Sequence, residues 1–70
     1  MADDKAAPDM NELRKWLHQV NNHVAVILAT AELMQLDPLP PGVAERCHTI
    51  ETKAMEVRGV LRSISDHYLA

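Results

Sequence analysis

One histidine and its neighbours are the part of this sequence best suited to chemistry. His18 stands in the stretch Leu17-His18-Gln19-Val20-Asn21-Asn22. A neutral imidazole has a free ring nitrogen able to attack phosphorus. The simpler reading is a solvated histidine on a helix surface. His23, His48 and His67 raise the question of a metal, but His18 and His23 are five apart and diverge around a helix, and no cysteine or carboxylate completes a set at zinc spacing. Neither a metal nor another cofactor is expected. A hydrolase triad and a glycine-rich phosphate loop are also missing from a chain with only two glycines.

The elements that would position His18 follow from the spacing of apolar residues. Residues 1–9 are acidic, carry Pro8 and read as a flexible lead-in; Asp9 is a candidate N-cap, and Glu12 completes a capping-box-like pattern. Next come Leu13, Leu17, Val20, Val24, Ile27, Ala31 and Met34 at spacings of 4, 3, 4, 3, 4 and 3, an unbroken heptad a/d seam. This predicts a helix over about 10–36, roughly 40 Å long. With Leu17 at an a position, His18 falls at b, beside the seam and outside it. Residues 37–42, Asp37-Pro38-Leu39-Pro40-Pro41-Gly42, end the helix because Pro38 pushes Asp37 out of the α region and the following prolines cannot continue it. Pro41 or Gly42 can open the next helix, where a missing N–H is harmless. Val43, Cys47, Ile50, Ala54, Val57, Leu61, Ile64 and Tyr68 repeat the seam and predict a second helix over about 43–69. A short loop makes the two helices antiparallel neighbours.

Length and composition agree with an all-α hairpin. Seventy residues hold at most one small domain, whose thin core needs help from disulfides, metal or oligomerisation. One cysteine, Cys47, excludes an internal disulfide and falls where the pattern puts the core. Oligomerisation is the helper that remains. The hairpin has only itself to bury two seams, and the flanking residues Trp16, Leu28, Val60 and Leu69 would stay wet in a monomer. Two hairpins closing into a homodimeric four-helix bundle would bury them; one hairpin packing on a different partner is the alternative. A net charge of -3 gives no sign of nucleic-acid binding. The apolar run over 24–29 is too short to span a membrane, and the acidic Met1-Ala2-Asp3-Asp4 opening reads as a natural start without a signal peptide. The expected location is the cytoplasm.

The hexapeptide, followed by the apolar run over 24–28 and Ala31-Glu32-Leu33, resembles the H-box of two-component sensor histidine kinases. It is most similar to the subgroup whose phospho-accepting histidine precedes an acidic residue and then paired asparagines. The resemblance covers about 13–68, with its specificity in the hexapeptide and the segment after it. It implies a dimerisation and histidine-phosphotransfer domain, a helical hairpin that dimerises into a four-helix bundle. By position His18 would be the phosphoacceptor. Asn22, one turn later, would match the residue that orients water to dephosphorylate a receiver domain. Gln19 stands where the family usually has Glu or Asp as general base; it can hydrogen-bond an imidazole but cannot take its proton. Phosphoryl acceptance from a receiver aspartate is less affected by that change. The implied partners are a second copy, a response-regulator receiver domain and a separate kinase ATP-binding domain, because 70 residues hold no such domain and the chain alone would have no autokinase activity. It would be a stand-alone module or a piece of a longer kinase. In the hairpin, residue numbers at one level add to about 79, so His18 lies near Leu61. Arg58 or Arg62, or Lys15 a turn before His18, could then steady a phosphoryl group. Gly59, at an outward f position near that level, could clear space for a docking receiver. A second reading is a non-catalytic dimerisation scaffold with a degenerate H-box.

Overall fold

The computed structural model describes residues 9–69 and contains two helices, α1 (Met10–Met34) and α2 (Pro41–Tyr68), packed against each other as a hairpin. The expected lead-in, apart from Asp9, lies outside the described residues.

α1 starts where a cap is available. Asp9 has extended backbone dihedrals, its carbonyl accepts the Leu13 N–H at 2.9 Å, and its carboxylate accepts from the Asn11 and Glu12 N–H groups at 2.9 and 3.4 Å. Donors that a helix start leaves without partners are thereby satisfied. The far end closes two residues before the expected position. Gln35 and Leu36 turn their N–H groups to carbonyls three residues back, Glu32 at 3.1 Å and Leu33 at 3.2 Å. That tightening would orphan the Ala31 carbonyl, and the Gln35 side-chain amide donates to it at 3.0 Å. The exit therefore needs no glycine, and no described residue has a positive φ.

α2 starts at Pro41, the earlier of the expected openings. Pro40 is extended, at ψ 147°, as a residue before proline should be. Its carbonyl accepts from Val43 and Ala44 at 3.0 and 2.9 Å, and Pro41 occupies the first turn at no cost in donors.

Packing divides each seam in two. The fully buried residues are Val24 and Ala31 of α1 with Cys47 and Ala54 of α2, all at a positions. Small side chains here allow the helices to approach closely. The d positions in the middle of the seams face elsewhere: Val20, Ile27, Met34, Ile50 and Val57 are each 41–49% exposed, whereas Leu13, Val43 and Ile64 nearer the ends are half-buried. A helix turns about 100° per residue, so d lies about 60° to one side of a, while e and b lie about 40° and 100° to the other. In an antiparallel pair joined through a and e, the d sides of both helices share one face of the hairpin. Leu28 and Leu69, expected to stay wet, are half-buried, whereas Trp16 and Val60 are exposed at 53% and 59%. The rotation toward e explains this for Leu28, an e residue; Trp16 and Val60 are g residues on the d side. No described helix is long and apolar enough to cross a membrane.

Candidate functional site

The face opposite the d residues carries an open groove of about 450 Å³, and His18 lines it. From α1 come Arg14, Leu17, His18 and Asn21; from α2 come Arg58, Leu61, Arg62, Ser65 and Asp66, with Leu69 from its C-cap. Two i,i+4 pairs build it. Arg14 and His18 lie one turn apart on α1, and Arg58 and Arg62 do the same on α2, so each pair shares a helix face. Leu17 and Leu61 form the apolar floor between them. Leu17 faces Leu61 across this groove, and Ile27 faces Ile50 across an apolar hollow of about 240 Å³ on the other side, so residue numbers at one level add to about 78, close to the expected level and one residue short of it.

Along the hairpin axis His18 lies between the levels of Arg62 and Arg58, about 3 Å of rise from either. All three side chains are exposed, so their polar ends meet solvent. The ion pairs among the described residues are elsewhere: His48 with Glu51 at 3.7 Å and Lys53 with Glu56 at 3.2 Å. Among those residues, Arg58 and Arg62 have no carboxylate within 4.0 Å, and Arg14 makes only a marginal 3.5 Å contact to Asn11 Oδ1. The groove therefore holds three guanidinium groups against one carboxylate, Asp66, in a chain of net charge -3.

The chain matches no family model, no curated protein and no solved structure. What the groove can do must come from its own side chains.

The sequence-expected residues divide around it. His18, Arg58 and Arg62 come together, while Lys15, Gln19 and Asn22 are exposed and do not line the groove. Gln19 is about 100° further round α1, at c; Asn22, at f, lies on the outer flank of His18. Asn21 is the asparagine of the pair that faces the groove. Gly59 has open space around it: a Cβ there meets nothing within 4 Å. Sequence reasoning missed Arg14, Ser65 and Asp66. The local signal for Arg14 was present, since it stands one turn before His18. Among the described residues no cluster of His, Cys, Asp or Glu could hold a metal ion.

Proposed function

We propose that the chain is a histidine-kinase-like dimerisation and phosphotransfer module, in which His18 exchanges a phosphoryl group with the aspartate of a receiver domain. The observation that carries the reading is an exposed imidazole on a long helix, flanked across a groove by two arginines that have no carboxylate partner among the described residues. A ring nitrogen of His18 attacks the phosphorus of an aspartyl phosphate. The P–N bond forms as the P–O bond breaks, and the electron pair leaves on the aspartate carboxylate. The proton on the other ring nitrogen can pass to water, because His18 is exposed. Arg58 and Arg62 offer charge-assisted hydrogen bonds to the phosphoryl oxygens. Lys15 is the alternative third cation, and Asn22 is the candidate for positioning water in a dephosphorylation reaction.

The same proposal includes a homodimer, formed by closing two d faces into a four-helix bundle, and a cytoplasmic setting. Phosphate would enter from a receiver domain or from a kinase whose ATP-binding domain is separate. One observation favours the alternative, a dimeric scaffold without chemistry: Gln19 cannot act as the general base that the resembled family places there.

The test uses phosphorylated receiver domains and the purified chain beside a His18→Ala variant. Acid-labile, base-stable label on the wild type alone is the expected result. Accelerated loss of receiver phosphate without label, abolished by Asn22→Ala, would make the protein a phosphatase-type regulator. Neither label nor accelerated loss would leave the scaffold reading.

A further inference from the structure

The proposed reaction uses the groove as the surroundings of His18. The groove has a property that does not depend on that histidine reacting. Arg14, Arg58 and Arg62 come from two helices and line one concave surface, with Asp66 the single carboxylate among the lining residues. We infer that this groove is an oxyanion-binding site in its own right, which takes a tetrahedral phosphate group whether free or covalently attached to His18.

The sign of the local charge is the first argument. Three guanidiniums against Asp66 leave a surplus of two positive charges in the groove, while the whole chain carries -3. A surplus of that sign is not inherited from the composition. The second argument is geometry. Arg58 and Arg62 share a face of α2, and by level His18 lies between them, with Arg14 one turn away on α1. A phosphate has oxygens on all sides and can accept from forks approaching from both helices. Leu17 and Leu61, both half-buried, place apolar surface beside the anion, where charges are screened less than in bulk water. Like charges that line one groove disfavour one another, and an anion bound among them would relieve that.

Arg14 is the residue this inference adds, in place of Lys15, which does not line the groove. Asp66 has the opposite role. It stands one turn after Arg62 on α2 and lowers the affinity for any anion entering that end.

The inference shares its site with the proposed function, so the experiment is arranged to separate them. Inorganic phosphate is titrated into the isotope-labelled full chain at constant ionic strength, chloride being exchanged for phosphate, and arginine and backbone amide NMR shifts are followed. Expected is saturable binding in the millimolar range, with shifts centred on residues 14, 18, 58 and 62. Arg14→Gln, Arg58→Gln and Arg62→Gln should each weaken it by about two- to fivefold, the range for exposed charge pairs. Asp66→Asn should tighten it, and His18→Ala should retain it. A second arm supplies phosphoramidate, which can phosphorylate imidazole directly: Arg58→Gln should then shorten the lifetime of phosphohistidine at residue 18.

Non-saturable shifts, or shifts that the three glutamine variants and Asp66→Asn leave unchanged, would mean general ion screening only and would overturn the inference. Phosphate binding without any phosphohistidine would sustain it while defeating the phosphotransfer reading. Phosphohistidine without saturable phosphate binding would do the reverse.

Discussion

At Asp9 one carboxylate oxygen serves two backbone donors, and nothing else among the described residues caps that end of α1. Asp9→Ala should cost about 1 kcal/mol, while Asp9→Asn, which keeps the acceptor, should cost little. Urea unfolding monitored by circular dichroism measures both. Gly59 invites the opposite change. It lies within α2, where glycine costs about 0.5–1 kcal/mol relative to alanine, and a new Cβ would meet open space. Gly59→Ala should therefore raise stability by about that amount. If it also weakened binding of a receiver domain, the glycine would be clearing space for the partner; unchanged binding would leave it without a role at the surface.

The helices themselves were legible in the spacing of Leu, Val, Ile and Ala, because an apolar residue every three or four positions has no solvated alternative that keeps the chain compact. The proline run made the loop equally plain. What spacing could not reveal was how the seam is shared. A 4-3 pattern says which residues leave water but not which neighbour each one meets, and here the a residues Val24, Ala31, Cys47 and Ala54 are buried within the hairpin while the mid-seam d residues stay 41–49% exposed. The groove was hidden for the same reason. The local pairing of Arg14 with His18 is a matter of i,i+4 spacing, but its approach to Arg62 depends on the helices packing through a and e. The close approach at Ala31, Cys47 and Ala54, each no more than 6% exposed, leaves no room for larger side chains. Ala31→Leu should thus cost about 1–3 kcal/mol by wedging the helices apart. Val26→Ala, at a side chain 64% exposed, should change stability by less than about 0.5 kcal/mol. Thermal unfolding of the two variants side by side checks the contrast.

For the molecule as a whole, the decisive quantity is how little one hairpin buries. Among the described residues only Val24, Ala31, Cys47 and Ala54 are fully buried, and three of those four are small. Ordering a residue costs about 1–2 kcal/mol of conformational entropy, which such a core does not offset for two helices of 25 and 28 residues. Much of the remaining apolar surface is gathered on one face, where Val20, Ile27, Met34, Ile50 and Val57 are joined by Trp16 and Val60, while Val26, Leu33, Met55 and Tyr68 are exposed outside it. Thr30 fits that face too: its hydroxyl donates to the Val26 carbonyl at 2.7 Å, so its polar atom already has a partner inside the helix. A second copy presenting the same face would cover it symmetrically, with each His18 groove left open on the outside. Folding and association are then one event, and Tm should rise with protein concentration. Sedimentation should give twice the 7.8 kDa chain mass. Ile27→Glu or Val57→Glu puts a charge in the middle of the joined faces and should both halve the mass and lower Tm. Gln19→Glu, at an outward c position, should do neither. A Tm independent of concentration together with a monomeric mass would mean that the apolar face meets a different protein.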